Sequence, residues 1–184
     1  MSKPILDTEF WKHRLRSSNS SQRYHAVYRC PQEEWDKIEQ RHREILAKHI
    51  GTDDDVLDAG CGYGRLLDLL PGPRTGFYLG VDLSPDFLEI AEVERRDKSS
   101  ELVAFMRGDL REVLLTLPEN RFDWGVCISM RKMIQSNLGD DVWEEVEKQL
   151  LRVCQRVLIL EYSDDNYKRG FVLTNEGSET CQEG

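Results

Sequence analysis

The sequence predicts an α/β fold built on a doubly wound, mainly parallel sheet, and three observations carry that reading. Five runs rich in Val, Leu, Ile and aromatic residues recur along the chain, alternating with segments of helical periodicity. The first run leads into a turn with glycines at 60, 62 and 64. The second ends in a carboxylate, Asp82, about twenty residues past those glycines, the spacing at which α/β nucleotide folds present an acid to ribose hydroxyls. At 184 residues the chain suits one domain with a sizeable core. Three parts are expected: residues 1–50 as a helical lid and substrate segment, 51–165 as the α/β core, and 166–184 as a partly disordered tail.

In chain order, Thr8 can cap a short helix carrying Phe10, Trp11 and Leu15, and Ser17 to Ser21 read as a loop. Arg23 to Arg29 is more aromatic and basic than its surroundings. Pro31 opens a helix to about residue 49, with Trp35, Ile38, His42, Ile45, Leu46 and His49 on one face and Gly51 as its stop. The two histidines are half-buried members of that stripe, and with no third ligand nearby no metal site is expected.

The stretch Asp55 to Leu70 organises the rest. Val56 and Leu57 end a buried strand, Gly60 to Gly64 form a tight turn, and Arg65 to Leu70 start a helix that Pro71 closes. Glycine takes the positive-φ conformations of such a turn and lets ligand atoms lie against the backbone. The dinucleotide fingerprint G-x-G-x-x-G needs its third glycine elsewhere, and Asp58 would repel a pyrophosphate yet accept a hydrogen bond from an ammonium group. A nicotinamide-dependent oxidoreductase is therefore opposed, and a ligand with an amino-acid part is favoured.

Asp58-Ala59-Gly60-Cys61-Gly62-Tyr63-Gly64 resembles motif I of the class I S-adenosylmethionine-dependent methyltransferases. The resemblance implies a Rossmann-like methyltransferase fold, S-adenosyl-L-methionine as cofactor and methyl transfer as activity. It places Asp58, Gly60, Cys61, Gly62 and Gly64 at the methionine part, Asp82 with its neighbour Leu83 at the ribose, and Asp109 with Leu110 at the adenine, whose amino group an acid at that turn accepts. Arg65 is either a partner of the methionine carboxylate, as in some family members, or a solvated residue of the first helical turn. Cys127 is expected beside the cofactor as well, although its apolar run also suits a small buried hydrophobe.

Further along, Ser84 with Pro85 starts a helix with Phe87, Ile90 and Ala91 inward, running out near Lys98. Leu102 to Met106 form a third strand, Asp109 can cap the helix carrying Leu114, Leu115 and Leu117, and Arg121 to Met130 lead into a fourth strand. Ser129-Met130-Arg131-Lys132 follows it where base-amino methyltransferases carry an Asn/Asp-Pro-Pro-aromatic motif and cytosine-C5 enzymes carry Pro-Cys, so those two chemistries are disfavoured. A helix after Gly139 turns Val142, Val146, Leu150 and Val153 inward, and Arg156 to Tyr162 is a fifth strand. The remainder has room for one strand, Gly170 to Thr174, so the usual two further strands with a preceding helix do not all fit and the C-terminal edge is expected to be shortened.

Composition bounds the partners. Net charge is -9, with about +3 on the first fifty residues and about -12 on the rest, which disfavours duplex DNA. The absence of an eighteen-residue apolar run or a hydrophobic leader points to a cytoplasmic chain with no membrane segment. Five cysteines, none spaced C-x-x-C, argue against a disulfide framework or zinc site.

The expected acceptor is a small molecule, with a protein acceptor as the other possibility. Arg23 to Arg29 should fold over the cofactor, with Tyr24 and Tyr28 forming an acceptor wall and Arg131 on the substrate side. His25 is either a base for a hydroxyl acceptor or a bystander in an aromatic lid. The rival class is a non-catalytic methyltransferase-like subunit, in a homodimer or with a partner protein, for which a shortened sheet edge would offer a docking strand.

Overall fold

In the computed structural model, which describes residues 31–95, 102–161 and 170–181, the apolar runs pair as the alternation predicts. Helix α1 (Gln32–His49) precedes β1 (Val56–Ala59), and a one-turn helix α2 (Leu66–Leu69) follows the glycine turn. Then come β2 (Tyr78–Asp82), α3 (Pro85–Glu94), β3 (Val103–Arg107), α4 (Leu110–Thr116) and β4 (Phe122–Ile128). Helices α5 (Arg131–Leu138) and α6 (Asp140–Val153) lead to β5 (Cys154–Leu160), and β6 (Gly170–Thr174) and β7 (Gly177–Cys181) complete the order.

The strands form one sheet in the order β3-β2-β1-β4-β5-β6-β7, parallel through β5 and antiparallel from β5 to β7. Its two faces follow the period of two along each strand. Val56, Tyr78, Trp124, Val126 and Leu158 pack toward Ile45 and Leu46 of α1 and toward α2. Leu57, Leu79, Cys127, Val157 and Ile159 pack on the other face against Leu114 of α4 and Trp143, Val146, Leu150 and Val153 of α6. The 3-4-3 spacing of those α6 residues makes one continuous apolar stripe, and each such fully buried side chain contributes about 1.5–3 kcal/mol. The stripe of α1 is borne out too, with His42 wholly buried rather than half-buried.

The C-terminal half adds one helix and changes one expectation. The segment after β4 is a helix, α5, which Gly139 ends at φ 107°. Within the tail, β6 occurs where predicted and β7 turns back on it, with Thr174 opposite Gly177. The sheet edge is thus longer than the shortened one expected. Gly177–Cys181 lacks apolar alternation because an edge strand with one paired side needs none. The short helix from Thr8, the serine loop, and the Arg23–Arg29 segment with Tyr24, His25 and Tyr28 lie outside the described residues. Among the described residues, no helix is long and apolar enough to cross a membrane.

Candidate cofactor site

The site lies at the carboxyl ends of β1, β2, β3 and β4, where a parallel sheet exposes strand ends and helix starts. The glycine turn is left-handed at three points, with φ 77° at Gly60, 54° at Gly62 and 73° at Gly64, and the Gly60 and Cys61 amides donate to the Val81 carbonyl. These glycines have different neighbours. A Cβ on Gly60 would fall 2.3 Å from Met130 Sδ, and one on Gly64 would fall 3.0 Å from the Phe105 ring. A Cβ on Gly62 would meet nothing within 4 Å. Gly62 therefore faces open space, as a ligand cradle requires, whereas Gly64 serves packing and lines neither cavity.

Two cavities open around this turn. The larger, of about 320 Å³, is lined at its polar end by Gly60, Gly62, Asp82, Asp109 and Ser129 and elsewhere by apolar side chains, among them Leu83, Leu110, Met130 and Ile134. The smaller, of about 40 Å³, is lined by Asp58, Cys61, Tyr63, Arg65 and Leu66. Gly60, Gly62 and Ile128 line both.

Each cavity has its own carboxylate. Asp82 Oδ2 accepts from the Gly62 amide and Oδ1 from the Ser84 amide, both at 2.8 Å. Burial raises its pKa, and the amide hydrogen bonds oppose that rise. Asp58 is buried on the α1 face of β1 and accepts from the Tyr78 hydroxyl at 2.6 Å. Burial pushes its pKa up to about 7, against the Tyr78 hydrogen bond and the Arg65 charge. Arg65 is not a solvated helix residue. Its guanidinium is buried, 3.2 Å from Glu39 Oε1 and 5.0 Å from the Trp35 ring centroid, so α1 holds it beside Asp58.

Asp109 caps α4, accepting from the Arg111 amide at 3.0 Å, and its two oxygens also take the Arg111 guanidinium at 3.0 and 2.6 Å. The guanidinium holds its pKa below the usual carboxylate range. Leu110 and Leu83 line the larger cavity with it. Cys61 is buried and lines the small cavity.

Two expected residues stand elsewhere. Cys127 lies in the core on the α4 and α6 face with no exposed surface, so its side chain reaches neither cavity. Arg131 lines neither cavity, and its guanidinium lies over the Phe171 ring at 5.7 Å.

Sequence reasoning missed Tyr78, Glu39 and Trp35 as supports of the small cavity, and Ser129, Met130 and Ile134 as walls of the large one. Position at the exit of a strand adjacent to β1 would have marked Ser129 and Met130. Ser129 has φ 58°, and its hydroxyl is buried with no hydrogen-bond partner among the described residues.

Residues 56–158 match the family described as Methyltransferase domain, and the chain belongs to that family, which brings the capability to bind S-adenosylmethionine. The open space at Gly62, the two acids and the unpartnered Ser129 hydroxyl fit such a ligand. No curated protein matches the sequence. Among solved structures, the bifunctional kinase-methyltransferase WbdD is similar at 23% identity and TM-score 0.54, over 71% of this chain and 28% of that one. The YcgJ protein from Bacillus subtilis is similar at 22% identity and TM-score 0.54, over 69% of this chain and 51% of that one. The cyclase SpnF is similar at 22% identity and TM-score 0.54, over 68% and 44%. The chain thus spans about a quarter to a half of these proteins' lengths, and at such identities the likeness is one of fold.

Proposed function

From that family membership, we propose that the chain transfers a methyl group from S-adenosylmethionine to a small-molecule acceptor. The observation that carries this reading is the pair of cavities joined at Gly60, Gly62 and Ile128, with Asp82 in one and Asp58 in the other. Such a pair suits a ligand with a nucleoside end and an amino-acid end. Asp82, its amide bonds leaving lone pairs free, accepts from ribose hydroxyls, and Asp109 and Leu110 take the adenine. Asp58 faces the ammonium, and Arg65 faces the carboxylate. When bound, the cofactor supplies an electrophilic methyl group on a sulfonium. The chain's own part is to align the acceptor and exclude water, sources that can provide most of the rate in such a displacement.

Over this site we place the Arg23–Arg29 segment, with Tyr24 and Tyr28 as one wall and His25 as a base where the acceptor is a hydroxyl. Calorimetry with S-adenosylmethionine tests the binding, and unchanged affinity in Asp82→Ala would refute the assignment. Labelled cofactor with a panel of small-molecule and protein acceptors tests the transfer. Once an acceptor is found, His25→Ala should lower turnover about a hundredfold with cofactor affinity nearly unchanged if His25 is the base.

A second reading is a methyltransferase-like binding subunit that acts with a partner protein and has no turnover of its own. A shortened sheet edge does not support it, because β6 and β7 extend that edge. Tight cofactor binding without turnover by the isolated chain across the panel would favour it.

A further inference from the structure

The two ends of the sheet offer different surfaces to another chain. At one end stands β7, whose sequence Gly-Ser-Glu-Thr-Cys is polar. At the other stands β3, Val-Ala-Phe-Met-Arg, which among the described residues has β2 on one side and no strand on the other. Edges are commonly blunted by proline or a bulge, yet β3 contains no proline and pairs with β2 residue for residue from Val103 to Arg107. The Tyr78 amide donates to the Leu102 carbonyl at 2.7 Å and the Gly108 amide to the Asp82 carbonyl at 3.0 Å, so the even-numbered residues of β3 turn their backbone toward β2. Backbone direction alternates along a strand, which turns the amides and carbonyls of Val103, Phe105 and Arg107 outward. Side chains add a second observation. Leu102 and Met106 are large apolar groups, 36% and 39% exposed, at positions that share one face with Ala104 between them.

We propose that β3 is a self-association edge, on which two copies of this chain pair antiparallel about a two-fold axis at Ala104 and join their sheets into one. Pairing must match outward residues with outward residues, and among the registers that do so this one alone sets Leu102 of each copy against Met106 of the other. Val103 then exchanges backbone hydrogen bonds with Phe105 of the second copy. The Leu102–Met106 and Ala104–Ala104 pairs fall at non-hydrogen-bonded positions, where side chains approach most closely, and the small Ala104 at the axis permits that approach. Charge runs the same way. Helix α3 crosses back between the parallel strands β2 and β3, so its exposed end, with Glu92 and Glu94, lies by the start of β3, while exposed Arg107 closes the other end on the face that Phe105 shares with α3. Antiparallel pairing brings Arg107 of each copy to the acidic end of the other copy's α3. Residues 103–107 line neither cavity, so the pairing leaves both open.

One short strand with its flanks makes a small interface, so the dimer should be weak, with Kd on the order of 10 µM. Sedimentation of the full chain measures it: wild type should pass from monomer at about 1 µM to mainly dimer at about 100 µM. Met106→Lys and Leu102→Glu each set a charge against an apolar side chain, and each should weaken the dimer about tenfold or more. Both sites are partly exposed, so each variant should melt within a few degrees of wild type. Mixing the two variants, or combining both substitutions in one chain, should restore association, because the register sets position 102 against position 106. Ser178→Lys, on the opposite edge strand β7, should leave the dimer unchanged. A wild type still monomeric at about 100 µM would overturn the proposal. So would a dimer that survives Met106→Lys or is lost in Ser178→Lys, since either would place the contact elsewhere. Failure of the folded double variant to recover would overturn the register.

Discussion

Asp58 and Asp82 stand on adjacent strands, one inside β1 opposite Gly80 and the other at the end of β2, and the fold treats them differently. Asp82 is held by backbone amides, which donate at every pH, and it opens onto the larger cavity. Asp58 is 3% exposed and relies on the Tyr78 phenol and the nearby Arg65 charge. Burial raises both pKa values, that of Asp58 to about 7. A carboxylate built on amides keeps its donors at every pH, whereas one built on a single phenol in a small buried cavity is proton-sensitive.

The largest effect expected from this contrast is in pH dependence. Asp58 titrates near 7 in the folded chain and near 3.8 when unperturbed, so between those values the folded state holds the extra proton. Its contribution to stability therefore falls as pH rises through that window, by on the order of 4 kcal/mol. His42 acts in the opposite sense: burial lowers its pKa from 6.5 to about 3, and stability from that group falls as pH drops below 6.5. The two cancel over much of the range in the wild type, so the difference from Asp58→Asn isolates the carboxylate. That variant should gain stability relative to wild type as pH rises from 4 to 8 in denaturant unfolding. A constant difference would contradict the buried, proton-sensitive Asp58. S-adenosylhomocysteine should also bind wild type more tightly at pH 8 than at pH 6, and Asp58→Asn should lose that trend.

Next in size is Asp82→Ala, which should weaken S-adenosylmethionine by about 1–3 kcal/mol. Removing the Asp58 donor instead sharpens the contrast. Tyr78→Phe should cost about 1.5–3 kcal/mol at pH 8, where the acceptor is charged, and about 0.5–1.5 kcal/mol at pH 5, where it is protonated. Equal costs at both pH values would mean that Asp58 does not change charge between them.

How far such features can be read from the chain depends on their range. The glycine turn, Asp82, the Ser84 cap with Pro85 and the Asp109 cap were legible because each is a local device with its partners a few residues away. The fully buried central strand β4 gave no alternation to say which face Cys127 would take, and it took the core. Arg65 was ambiguous because its partners, Glu39 and Trp35, arrive from α1, far back in the sequence. Ser129 was noticed only as part of a missing motif, since neither its φ nor its unpartnered hydroxyl has a signature in composition. Edge strand β7 escaped because its residues are polar, as an edge permits.

The smallest expected effect concerns the third acid, Asp109, which lies between the two extremes because its main donor is a side chain that can leave. Arg111 is half exposed, and a pair of that kind is worth about 0–1 kcal/mol, so Arg111→Ala should melt within a few degrees of wild type. The cap on α4 should persist in this variant, because its donor is the backbone amide of residue 111 and not the guanidinium. Freed of that guanidinium, the Asp109 oxygens should accept from adenine more readily, and adenosine should bind up to a few times more tightly. If adenosine binding weakens instead, the guanidinium is what holds Asp109 in place, and Asp109 joins Asp58 as a carboxylate positioned by a side chain.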